Sequence, residues 1–143
     1  MHNIKIALLP LALFFLAFSA CKKSDDTLPG PGGNITPTSG KWKITYFFDK
    51  KDETSYYTGY VFDFGSNGAL TATNGSQTWT GTWSSGYDDS KNKFLIDFIG
   101  AAPSVLSELE EDWTIIKMED KLMHFEHTSG GNGDTDVVKF ERS

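Results

Sequence analysis

The chain has 143 residues, 13 basic against 19 acidic, a net charge of −6, one cysteine and an aromatic fraction of 14%. That acidity excludes the basic face with which nucleic-acid binders displace phosphate counterions, and it excludes a polybasic grip on anionic lipid. A single cysteine excludes a disulfide framework and a thiolate metal cage.

The chain opens in three zones. His2, Asn3 and Lys5 form a polar start, residues 6–18 are apolar apart from Pro10, and Ser19 and Ala20 are small. Crossing ~30 Å of hydrocarbon takes about 20 apolar residues, so the run is too short for a span and reads as a secretory signal. Cys21 follows at once. A lone reduced thiol is unusual in an oxidising compartment, and Phe18-Ser19-Ala20-Cys21 resembles the lipobox of bacterial lipoproteins, with Phe18 where Leu is usual. The resemblance implies a signal peptide over 1–20, cleavage between Ala20 and Cys21, and lipid on the Cys21 thiol and new amino group. Several acyl chains hold firmly where one binds reversibly. The membrane is thus the expected partner, through Cys21, in the envelope of a Gram-negative bacterium and at its outer membrane.

Residues 21–39 contain Pro29, Pro31 and Pro37 with Gly30, Gly32 and Gly33 and show no apolar periodicity, which predicts a flexible linker. Within it Lys22-Lys23-Ser24-Asp25-Asp26 resembles the charged tag of surface-exposed lipoproteins. A solvated charge run reads the same way, and both leaflets fit. Without residues 1–20 the chain loses Lys5 and no acid, leaving 12 basic and 19 acidic residues, a net of −7. Residues 40–143 are enough for one domain with one modest core.

That domain reads as strands. Trp42, Ile44, Tyr46 and Phe48 alternate with Lys41, Lys43, Thr45 and Phe47, the period of a half-buried strand. Tyr60, Phe62 and Phe64 repeat the pattern, and Gly65-Ser66-Asn67-Gly68 turns the chain into Leu70 and Ala72. Asn74-Gly75 predicts a two-residue hairpin turn, returning through Trp79, Gly81 and Trp83. After a polar loop come Phe94, Ile96 and Phe98, and three strands follow over 113–118, 121–127 and 136–141. Pro103 with Val105, Leu106 and Leu109 at helical spacing predicts one short helix over 103–111.

Eight short antiparallel strands leave two unpaired edges unless the sheet closes. The expected fold is therefore all-β, an eight-stranded up-and-down antiparallel barrel. Gly40-Lys41-Trp42 at the head of the first strand resembles the G-x-W signature of lipocalins, and Arg142 follows the last strand. The resemblance spans Gly40 to Arg142 and is strongest to the short lipocalin-like domains of bacterial lipoproteins. It implies that Trp42 closes one end of the barrel with Arg142 across its ring, within about 6 Å. The Gly-x-Trp triplet recurs at Gly81-Thr82-Trp83.

A catalytic set is not in view. His124 and His127 are three apart on a strand and so point to opposite faces. Asn132, Asp134 and Asp136 lack the ligand count and spacing of a calcium loop. The expectation is a non-enzymatic monomer without cofactor or metal. Ten aromatics are assigned inward: Trp42, Tyr46, Tyr60, Phe62, Phe64, Trp79, Trp83, Phe94, Phe98 and Trp113. Barrels of this size either are filled by side chains or hold one small ligand. One reading is a binder of a small apolar or amphipathic ligand, with the hydroxyls of Tyr46 and Tyr60 as its polar contacts. The other is a tethered module with a solid core that meets a cell-envelope protein through outward Phe47, Val61, Leu95 and Ile116.

Overall fold

A computed structural model describes residues 36–131 and 133–143. The signal segment, Ala20, Cys21 and most of the linker lie outside the described residues. In chain order the elements are β1 (Trp42–Asp49), the two-residue β2 (Lys51–Asp52), the 3-10 turn η1 (Thr54–Tyr57), β3 (Tyr60–Phe64), β4 (Ala69–Asn74), β5 (Gln77–Asp88), β6 (Lys91–Phe98), α1 (Ser104–Ser107), β7 (Asp112–Met118), β8 (Leu122–Thr128) and β9 (Thr135–Arg142). Each strand pairs with the next in the order β2-β1-β3-β4-β5-β6-β7-β8-β9, and β1 also pairs with β9. With β2 set aside as a short arm on β1, eight antiparallel strands close into an up-and-down barrel, the fold expected from the sequence.

Turn chemistry sets the hairpins. Gly68 sits at φ 80° and its N–H donates to Gly65 O at 3.0 Å. Asn74 pairs with Gln77, so the β4–β5 turn is Gly75–Ser76, one residue later than Asn74-Gly75 predicts. Its positive φ falls on Gly75 alone, at 60°, as in a turn of type II′. Between β5 and β6 the expected polar loop is absent. The strands continue to Asp88 and Lys91, and Asp89 and Ser90, at φ 47° and 62°, make the turn. Both central residues are left-handed, the type I′ pattern that suits strand twist.

Two bulges reset the side-chain alternation. The β1–β9 register passes from Ile44 opposite Phe140 to Tyr46 opposite Lys139, which leaves Thr45 unpaired. A one-residue shift exchanges the faces of a strand. Phe47, expected outside, is therefore buried in the core, and Tyr46, expected inside, lies on the outer face with Lys139 Nζ 5.3 Å from its ring centre. In β7 the register against β8 skips Ile116, which is exposed, as is Leu95 on β6.

The helical segment is shorter than expected. Only Ser104–Ser107 is α-helical, after which Leu109 and Glu110 N–H continue as tighter turns onto Leu106 and Ser107 carbonyls. The last turn is used for docking instead: Glu110 Oε1 accepts the Phe98 N–H at 2.8 Å, and Leu109 O accepts the Trp113 indole N–H at 2.9 Å.

Candidate functional site

Aromatic rings occupy the barrel interior. Phe94 and Phe125 stack at 4.6 Å between ring centres; Phe140 meets Phe62 at 5.3 Å and Phe64 at 5.8 Å; Phe64 meets Phe94 at 5.7 Å. These five rings are fully buried. Offset and edge-on contacts at 4.5–7 Å are those aromatic rings prefer, so the centre of the barrel is a continuous ring cluster.

One end is closed as the lipocalin resemblance implies. Trp42 is fully buried, and its indole N–H donates to Pro37 O at 2.8 Å. The guanidinium carbon of Arg142 lies 5.0 Å from the Trp42 ring centre, and Arg142 Nη1 donates to Asp120 Oδ1 at 2.7 Å. Gly40 stands at φ 82°, and a Cβ there would come within 3.0 Å of Arg142 Cδ. Glycine in Gly-x-Trp thus serves both the turn and the arginine's approach. Pro37 is buried in this cap, so the packed chain starts before Gly40, inside the stretch that composition assigns to the linker.

The opposite end is closed by two pieces: the α1 segment, expected from the sequence to cover one end of the sheet, and η1, which the sequence did not single out. Tyr57 from η1 is buried, 4.8 Å from Phe47 between ring centres, and its hydroxyl donates to Val105 O at 2.8 Å. Leu106 and Leu109, on and just after α1, are fully buried beside it. Burial, with Glu108 and Glu53 adding repulsion, pushes the Tyr57 hydroxyl pKa far up, so it stays a donor.

Of the ten residues assigned inward, Trp42, Tyr60, Phe62, Phe64, Phe94, Phe98 and Trp113 are buried together. Trp79 and Trp83 are half-buried at the wall, Trp83 stacked on Phe94 at 5.5 Å with its indole N–H donating to Gly65 O at 2.8 Å. Tyr46 is outside, so the two tyrosine hydroxyls expected to line one pocket lie on opposite sides of the barrel wall. Phe47, Phe125 and Phe140 are the interior rings missed. Phe125 and Phe140 lie in strands where charged neighbours diluted the alternation, and the Thr45 bulge leaves no mark in sequence.

The two histidines of the domain lie apart, as their spacing predicts. His124 lies on the outer face, 3.3 Å from Glu126 and half-buried; burial and then Lys139 hold its pKa down. His127 is at the other end of β8, 3.6 Å from Glu111 and 3.5 Å from Asp136, with Trp113 edge-on at 6.2 Å. Among the described residues no group of three or more His, Cys, Asp or Glu is placed to hold a metal ion.

Comparison with protein-family models gives no match, and no curated protein matches the chain. Among solved structures, the crystal structure of a DUF4847 family protein from Bacteroides vulgatus ATCC 8482, at 1.00 Å resolution, is similar. The TM-score is 0.51 at 15% identity, covering 75% of this chain and 94% of that one. The likeness is one of fold.

Proposed function

We propose that this is a lipid-anchored, non-enzymatic lipocalin-like barrel that works through its outer surface as an accessory or interaction module of the Gram-negative cell envelope. The observation that carries this reading is the interior: a ring cluster from Phe62 to Phe140, capped by Trp42 with Arg142 at one end and by Tyr57, Leu106 and Leu109 at the other. A barrel so filled has its recognition chemistry outside. The tether reading rests on the lipobox at Phe18-Ser19-Ala20-Cys21.

Two measurements test the proposal. Native mass spectrometry and tryptophan quenching with a panel of lipophilic compounds are expected to find no small molecule; a retained molecule would reinstate a ligand-binding barrel. Replacing Cys21→Ser is expected to move the protein from the membrane to the soluble fraction. Membrane retention of that variant would remove the anchor from the proposal.

A further inference from the structure

β5 outruns its neighbours. It pairs with β4 only as far as Thr82, opposite Ala69, but with β6 as far as Asp88, opposite Lys91. β6 in turn pairs with β7 only from Lys93 to Leu95. Past the end of β4, β7 still backs β6 opposite Ser84 to Gly86, and from Tyr87 to Asn92 the two strands run on as a two-stranded ribbon at the Trp42 end of the barrel.

The register fixes which backbone groups of the ribbon are free. Ile99 N–H donates to Thr80 O at 2.8 Å, so Thr80 and every second residue after it, through Ser84, Gly86 and Asp88, point their amides at β6. Trp83 N–H donates to Gly68 O at 2.9 Å, so the alternate residues point the other way. Among the described residues no strand stands on that side beyond Trp83, and Ser85 and Tyr87 present N–H and C=O outward. Proteins blunt such edges with Lys, Pro or a bulge. This edge reads Ser84-Ser85-Gly86-Tyr87-Asp88, with one charge at its end, Asp88, and no Lys, Pro or bulge, and Tyr87 is 64% exposed.

We propose that this edge pairs antiparallel with the same edge of a second copy of the chain, about a two-fold axis at Gly86. Ser85 then faces the partner's Tyr87 and Tyr87 the partner's Ser85, in two pairs that each exchange both backbone hydrogen bonds. Ser84 faces the partner's Asp88, a hydroxyl donor against a carboxylate, and no like charges are opposed. Gly86 meets its counterpart in the close, non-hydrogen-bonded type of pair, where the lack of a side chain removes any clash. Tyr87 shares a face with Ser85 and Trp83, so its ring crosses the partner's Ser85 toward the partner's Trp83, within diagonal reach of an aromatic. Trp83 is stacked on Phe94 on one side and only half-buried; the partner's Tyr87 covers its open side. The two-stranded tip beyond Gly86 is marginal in water by itself, and the pairing sets it beside the partner's β5 and β6. The interface is isologous and closes at two copies.

The test is cross-linking across the axis. At Gly86 a Cβ meets no atom within 4 Å, and Cα atoms of a close antiparallel pair lie ~4.5 Å apart, inside the disulfide range. The full chain carrying Gly86→Cys, extracted in mild detergent and oxidised, is expected to run as a dimer on a non-reducing gel. The wild-type chain and Thr80→Cys, on the paired part of β5, are expected to run as monomers. Adding Ser85→Pro removes a free N–H without touching a β6 bond and is expected to abolish the dimer. Adding Tyr87→Ser leaves the backbone whole and is expected to weaken it. A Gly86→Cys thiol that takes a maleimide label yet stays monomeric, a dimer that survives both second changes, or cross-linking to a different protein would each overturn the proposal. Repeating the assay with Cys21→Ser leaves the expectation unchanged, so a failure here is distinct from a failure of the tether.

Discussion

The β5–β6 ribbon continues two strands of the barrel body, yet ribbon and body are held by different forces. Up to Trp83 and back from Phe94, inward side chains are Trp, Phe and Ile in contact with the ring cluster. Beyond them Lys93, opposite Gly86, is still tied to β7 through Thr114 and Asp112, and the last pairs, Tyr87 with Asn92 and Asp88 with Lys91, are held by backbone hydrogen bonding with a type I′ turn. The body buries apolar area, worth about 25 cal/mol per Å², and the ribbon buries little. Stability is therefore seated in the body, while the ribbon has unpaired backbone groups to offer a partner.

Substitutions that separate these roles should differ widely in cost. Phe125→Ala opens a cavity between Phe94 and Phe140 and is expected to cost about 3–5 kcal/mol in denaturant unfolding; a loss under about 1 kcal/mol would mean that the ring cluster does not hold the body together. Gly81→Ala comes next. A Cβ there would lie 2.3 Å from Asp97 O, a backbone atom of the paired strand, so β5 and β6 must shift, at about 1–3 kcal/mol.

Glu108→Gln gives a smaller change, read against pH. Burial, then the nearby Glu53 and Asp49, raises the Glu108 pKa in the folded chain, and its Oε2 is buried without a hydrogen-bond partner. The folded state thus holds this proton more tightly than the unfolded state, so its effect on stability falls as pH rises through the ordinary carboxylate range to the folded pKa. Thermal unfolding of Glu108→Gln should show a higher midpoint than the wild type at neutral pH and equal midpoints near about pH 3. A lower midpoint at neutral pH would mean that the charge is stabilising. Tyr87→Ala, out on the ribbon, is expected to leave monomer stability within about 0.5 kcal/mol; a loss comparable to that of Phe125→Ala would erase the distinction between ribbon and body.

Much of the barrel was legible because its strands alternate and its turns use glycine where φ is positive. Trp42, Phe62, Phe64, Phe94 and Trp113 could be placed inside from period two alone. The pattern failed where the register slips. Thr45 takes an unpaired place in β1 and exchanges Tyr46 with Phe47, and no local preference of Thr, Tyr or Phe announces that exchange. It failed again at residues 84–92, whose polar composition reads as loop; only the β5–β6 ladder, closed by the left-handed pair Asp89-Ser90, makes strand of all but that pair.

The two lids show the same division. Tyr57 belongs to a segment without period, and α1 is a single turn, too short to be stable by itself; the Tyr57 hydroxyl on Val105 O and the Trp113 indole on Leu109 O fix both pieces. The sequence by itself determined the acidic balance, the barrel strands and their closure, since charge and period are local properties. Only the tertiary structure decided which rings share the interior, that Tyr57 joins α1 in shutting the second end and which edge of β5 is left open, because register and closure depend on residues far apart in the chain.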